Sequence, residues 1–307
     1  MTQLSSQAVL TRLSTGQTLQ KAELSQIDLT GAILDGGDFS DAYLRQARLA
    51  QASCHGTNFA GATLILADLT EVNLEQGELA GAVLTRATLD HSNLSQARGA
   101  GAKFYGATMT AVKAPKANFD RADLQYVEAP QAELQGASLV GAIATQANFS
   151  QASFREARLA QSRWCQATLV GVALYQADLE RADFNDAILT GANLSGANGL
   201  SAIFQQADLT GALLQKTQLS YSDFWNAVLV DADLRGANLT LANLELANLA
   251  GANCVGANLS QASLENAQLN GADFTGAQVK GALFTGSTGL TADQKDELRR
   301  QGALNVG

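Results

Sequence analysis

Every fifth residue of this chain is apolar, and the frame never slips. From Leu24 to Phe284 there are 53 such positions; 43 hold Leu or Phe, and all eleven phenylalanines fall on this register. Two residues before each stands a small side chain: 41 of the 53 positions from Ala22 to Ala282 are Ala, and most others are Ser, Thr, Val or Gly. A period of five fits neither an amphipathic helix nor an alternating strand, and it excludes a heptad coiled coil. A chain that turns a corner every five residues satisfies it. The large central residue and the small one two before it then face inward, and the other three face out.

If four such sides close a square coil it holds 20 residues, with coils stacked through backbone hydrogen bonds at roughly 4.8 Å; the period of five alone does not set the number of sides. Glycine recurs two residues after the centre, as at Gly31, Gly61, Gly81 and Gly171, where a turn can demand positive φ. Where Gln, Arg or Asp replaces it, a turn type tolerant of ordinary residues is expected. Asp and Asn dominate just before the centre. The run Asn238, Asn243, Asn248, Asn253 and Asn258 reads as solvation and local hydrogen bonding.

The motifs Ala192-Asn193-Leu194-Ser195-Gly196, Ala232-Asp233-Leu234-Arg235-Gly236 and Ala252-Asn253-Cys254-Val255-Gly256 resemble the A(D/N)LXX unit of pentapeptide-repeat proteins. That resemblance implies an all-β, right-handed quadrilateral β-helix, a solenoid of about 13 coils and roughly 60 Å at that coil spacing. The expected division is an N-terminal helical cap over 1–16, the β-helix over 17–288 and a C-terminal helix and cap over 289–307. Caps are expected because an open end exposes backbone and core. The first helix is predicted over Leu4 to Leu13, with Leu4, Ala8, Val9 and Leu13 on one side. The second is predicted over Thr291 to Gln301, with a Thr291/Gln294 capping box and Gly302 to end it. Leu290, Leu298 and Leu304 are expected to cover the last coil. Some relatives dimerise through such a helix, so both a monomer and a C-terminal-helix dimer stay open.

The middle of the repeat array departs from its pattern. Centres there include Gly99, Met109, Ala114, Ala129 and Ala144, and both prolines, Pro115 and Pro130, directly follow undersized centres. Proline cannot donate to the coil-to-coil ladder, so a bulge or altered corner is expected. From Arg98 to Arg163 eight Lys or Arg stand against five Asp or Glu, whereas the rest of the chain has 12 against 24. Lys113, Lys116 and Arg121, with Tyr105 and Tyr126, are therefore one candidate partner-binding set; repeat decay in a redundant scaffold is the alternative. A second set is the outward apolar group Val170, Ile188, Val228 and Val230, with Leu246 near a corner; strand-favouring filler is its alternative. Trp225, outside and near Tyr221, is a further contact candidate.

No catalytic, cofactor or metal site is expected. His55 and His91 are 36 residues apart with no converging ligands, carboxylates are scattered, and no phosphate-binding glycine loop joins a strand to a helix. Cys54 and Cys254 are centres, hence core fillers too far apart to pair; Cys165 follows a centre and is a candidate reactive thiol. Trp164, a centre, belongs to the core. A net charge of −9 argues against direct nucleic-acid binding or an anionic membrane surface. No apolar run approaches the ~20 residues of a membrane span. Nor does the N-terminus read as a secretory leader, so a cytoplasmic protein starting near Met1 is expected.

The expected function is that of a rigid, non-catalytic scaffold or regulatory protein that binds a protein partner of unknown identity through its outer faces. The style resembles long, uninterrupted cyanobacterial members of the family, some of them regulators of heterocyst differentiation. Some relatives mimic duplex DNA and protect gyrase, which is the alternative here. It needs continuous acidic rows, whereas the stacked row Asp38, Asn58, Glu78, Arg98, Asn118 mixes signs.

Overall fold

The computed structural model describes residues 4–307. They form two compact units, the first ending at Arg158 and the second running from Leu159 to Gly307. In each unit the residue just before a centre pairs in parallel with the residue 20 positions on, as in Asp28 with Arg48 and Asp183 with Ile203. Twenty residues per coil and five per side make four sides. The interior of both units is the column of centres together with the small residues two before them.

The repeat 67–71 shows how each backbone donor is used. Ala67 N–H closes the preceding turn on Leu64 O at 3.1 Å, Asp68 N–H donates to Ala47 O at 2.9 Å, and Leu69 N–H to Thr88 O at 2.7 Å. Glu71 N–H reaches Asp90 O at 2.9 Å. The remaining donor, Thr70 N–H, is taken by the Asp68 carboxylate at 3.1 Å. Asp or Asn before the centre is thus a local acceptor for the first corner residue, the Asx-turn logic. All of Asn238, Asn243, Asn248, Asn253 and Asn258 do this, at 3.0–3.2 Å.

The corners correct one expectation. Every second corner residue from Lys21 to Gly286 has positive φ, the non-glycine ones between 51° and 61°. The first corner residue has none, and the turn closes with an i←i+3 bond, so all corners are of type II. No second turn type serves Gln, Arg or Asp. The reason is the ladder: the second corner N–H donates to the next coil, as Gln46 does to Ile65 O at 2.8 Å, and another turn would forfeit that bond. Holding an L-residue left-handed costs about 1–2 kcal/mol, against about 1 kcal/mol for the extra chain entropy of glycine. Ala111→Gly, at φ 51°, is therefore expected to raise stability by about 0.5–1 kcal/mol, read as a shift in the urea midpoint at constant m.

The prolines are corrected too. Pro115 and Pro130 occupy the first corner place, which type II turns favour for proline and whose N–H never enters the ladder. Their carbonyls accept from Gln96 N–H at 3.0 Å and Ala111 N–H at 2.9 Å, so the ladder passes through unbroken with no bulge. The residues that elsewhere supply the Asx acceptor are here Lys113 and Glu128: with no N–H to satisfy, no Asp or Asn is needed.

Undersized interior residues are matched to large neighbours. A Cβ on Gly99 would lie 2.9 Å from the Phe119 ring, and one on Gly199 2.8 Å from Leu219. Among the described residues, hydroxyls appear inside only at the small-residue place and are bonded there: Ser92 to Leu89 O and Ser222 to Leu219 O, both at 2.6 Å. Trp164 is fully buried as expected, its indole N–H donating to Ser162 Oγ at 2.7 Å.

Helix α1 spans Ser6–Ser14 and buries Val9. Its Leu13 approaches Gly37 so closely that a Cβ there would sit 2.8 Å from Leu13 Cδ2, which accounts for glycine at an alanine place. Helix α2 spans Ala292–Arg300 with the expected Thr291/Gln294 capping box, and buries Leu298. Leu304 departs from expectation. Its backbone pairs with Leu283 as a next coil would, which turns its side chain outward, 49% exposed, while Ala303 and Val306 face in.

Candidate interaction surface

Three of every five side chains point outward in columns one coil apart. Sites on these units are therefore sets of columns, and sequence neighbours separate onto different sides. Tyr105 and Tyr126 come together at one corner of unit 1, ring centroids 5.1 Å apart and tilted by 59°. Gly106, next to Tyr105 and one coil before Tyr126, carries no side chain to part them. Lys113, Lys116 and Arg121 do not join this pair. Lys113 lies in the Asn93–Lys113–Glu133 column of another side. Lys116 stands at the corner after it, bordering a surface cleft of ≈ 370 Å³ with Gln135, Ser153 and Arg155. Arg121 occupies the following corner. The expected belt is a ring around the unit with one aromatic focus.

In unit 2, Ile188 and Val228 share a column, but Asp208 separates them. Burial works against the Asp208 charge, yet the Thr210 hydroxyl and N–H and the Thr190 hydroxyl hold its carboxyl below the usual carboxylate range. Thr190 and Thr210 also stand between Val170 and Val230 in the adjoining column. The structure therefore breaks the expected apolar patch with a charged, hydrogen-bonded island. Trp225 is half-buried, its backbone N–H donating to the Asp223 carboxylate at 3.0 Å; Tyr221, 61% exposed, lies at the far corner of the same side.

Of the side of unit 1 that carries the tyrosines, the sequence groups Lys103, Tyr105 and Tyr126; Tyr43, Arg45, Leu66 and Arg86 join them only through the stacking of coils. Its strand column is Glu23–Tyr43–Thr63–Val83–Lys103–Asp123–Ile143. Its corner columns add Arg45, Ile65 and Tyr105, then Leu66, Arg86 and Tyr126. Tyr43, Leu66, Tyr105 and Tyr126 are all exposed. Among the described residues it is the one side of unit 1 on which cations outnumber carboxylates, and Arg45, Arg86 and Lys103 make no ion pair there. Rows of 20 residues display this signal, because residues stacked in one column are 20 apart in the sequence.

Cys54 and Cys254 are buried free thiols, pushed up by burial, Cys254 to about 12. Cys165 is pushed up to about 11, first by burial and then by the Asp183 carboxylate that shares its proton. The thiolate is the nucleophile, so Cys165 is expected to resist iodoacetamide at pH 7.4, with a rate that climbs only as pH nears 11. Ready modification at neutral pH, seen by intact mass, would contradict this. Among the described residues no group of three His, Cys, Asp or Glu can hold a metal ion, and no helix is long and apolar enough to cross a membrane.

A family model for pentapeptide repeats matches successive stretches from 15–46 to 247–286, and between them nearly all of residues 15–286. No curated protein matches the chain. Similar solved structures include HetL from the cyanobacterium Nostoc sp. strain PCC 7120, a pentapeptide repeat protein involved in heterocyst differentiation regulation. It is 24% identical over 91% of this chain and 94% of its own, with a TM-score of 0.23. Rfr23 from the cyanobacterium Cyanothece 51142 is 37% identical over 33% of this chain and 63% of its own, at 0.20. The plasmid-mediated fluoroquinolone resistance protein QnrB1 is 16% identical over 64% and 90%, at 0.30. The repeat that builds both units, and the family model that follows it along the chain, identify a right-handed quadrilateral β-helix: this protein belongs to the pentapeptide-repeat family.

Proposed function

We propose that this protein is a non-catalytic scaffold or regulator that docks a protein partner on its lateral sides, the tyrosine side of unit 1 foremost. One observation carries the reading: the interior is filled by Leu, Phe and Ala, while outward side chains are held in columns by a backbone whose donors are satisfied. A partner that docks on such a surface loses little to ordering it. Exposed aromatic residues beside arginine are the usual anchors of such contacts. Three free cysteines, two of them in the core, suit the expected cytoplasmic setting.

The test is affinity capture from the native host with three sets of variants. They are Tyr105→Ala with Tyr126→Ala, Lys113→Glu with Lys116→Glu and Arg121→Glu, and Val228→Lys with Val230→Lys. The tyrosine pair is expected to reduce capture at least tenfold and the valine pair to leave it within twofold. A partner held equally by all three refutes the assignment. Gyrase binding by DNA mimicry has weaker support. Acidic columns are interrupted by cations that pair within them, Arg48 with Asp28 at 3.2 Å and Arg98 with Glu78. Micromolar protein is accordingly expected to leave gyrase supercoiling unchanged.

A further inference from the structure

Unit 2 has a side that is the chemical opposite of the tyrosine side. Its strand column is Arg163–Asp183–Ile203–Asp223–Asn243–Ser263–Leu283. Asp183, Asp186, Asp223, Glu245 and Glu265 there face a single cation, Arg163. Glu245 and Glu265 follow one another in a corner column one coil apart, where like charges repel, and neither has an ion-pair partner among the described residues. Between these carboxylates stand half-buried Trp225 and exposed Leu246. The tyrosine side offers the complement: Arg45, Arg86 and Lys103, which make no ion pair among the described residues, surround Leu66, Tyr105 and Tyr126 and outnumber the carboxylates of that side, Glu23 and Asp123.

We infer that the tyrosine side of unit 1 is a self-association surface whose occupant is the acidic tryptophan side of unit 2 in a second copy. This deepens the docking reading and rests on it. The two sides combine opposite charge with apolar residues, so charge aligns the copies while desolvated aromatic rings supply affinity. Both surfaces are built at the same coil spacing, so their columns stay in register along the contact. Because the surfaces differ, each contact leaves one of each kind unfilled. A two-fold axis closes both at once; otherwise the copies run on into open chains.

Sedimentation velocity on the full chain from 5 to 100 µM tests this. In 50 mM NaCl the wild type is expected to associate with rising concentration, and 500 mM NaCl is expected to weaken association at least tenfold. Arg86→Glu with Lys103→Glu, and separately Glu245→Lys with Glu265→Lys, are each expected to sediment as monomers. Mixing the two variants is expected to restore a one-to-one dimer, which misfolded variants could not form. A wild type that stays monomeric at 100 µM overturns the inference, as does association that survives both charge reversals. Self-pairing can fail in this way while the tyrosine variants still lose a foreign partner, so the two readings fall separately.

Discussion

Phe204→Ala is expected to destabilise unit 2 by about 3–5 kcal/mol. The ring is fully buried and stacks between those of Phe184 and Phe224, at 5.1 and 4.8 Å and nearly parallel to both. Loss of an interior ring removes its transfer free energy and leaves a cavity, whose cost depends on how far the walls can collapse. Here they collapse little. The Phe204 N–H is bonded to Asp223 O and the Phe184 N–H to Ile203 O, both at 2.7 Å, so the coils cannot close over the gap without breaking the ladder. In a solenoid each coil is stabilised by its neighbours, so damage to one weakens the interfaces on both sides. Trp164 and Trp225, the only two tryptophans, both lie in unit 2. Their fluorescence during urea unfolding reports the change directly. A loss below about 1 kcal/mol would show that the interior relaxes more freely than its hydrogen bonding implies.

Ser162→Ala is expected to cost about 1–3 kcal/mol, although it restores the commonest residue at that place in the repeat. Ser162 is buried, and its hydroxyl is a relay: it donates to Leu159 O and accepts from the Trp164 indole N–H at 2.7 Å. Alanine removes the acceptor for a buried N–H and the second donor at Leu159 O, and it recovers little apolar area in exchange. The paired control is Ser162→Ala in a Trp164→Phe background, where no indole N–H remains. There the cost is expected to fall by about half or more, because deleting both partners avoids the unsatisfied donor. Equal costs in the two backgrounds would mean that the relay contributes nothing.

Inside and outside were legible at once, because side-chain volume decides them and the sequence states volume at every position. Leu124 and Leu234, both centres, are buried as that reading requires. So was the α2 capping box, which rests on two residues three apart. Backbone conformation was less legible. Nothing in Gln26 or Arg86 announces a left-handed φ; the demand comes from the ladder bond each N–H makes to a carbonyl one coil away. Pro115 and Pro130 were misread for the same reason: their effect depends on whether their missing N–H had a ladder partner, and at the first corner place it never does. The tyrosine side was written in the chain but spread over about a hundred residues, visible only when columns rather than neighbours are compared. Lys113, Lys116 and Arg121 looked clustered because they are close in sequence, and a chain that turns every five residues scatters such neighbours.

The corner spacing also governs how such a gene can lengthen or shorten. Deletion of five codons from within a unit leaves every buried place occupied by a residue of suitable size, so the truncated product still folds. Everything that follows in that unit, however, swings through a right angle relative to what came before, and rows such as Tyr43 to Lys103 are dismembered. Only multiples of twenty leave the outer decoration aligned. Heredity by duplication or loss is thus nearly silent for folding at one interval and silent for recognition only at another four times as long, which makes the exterior of this protein its more fragile inheritance.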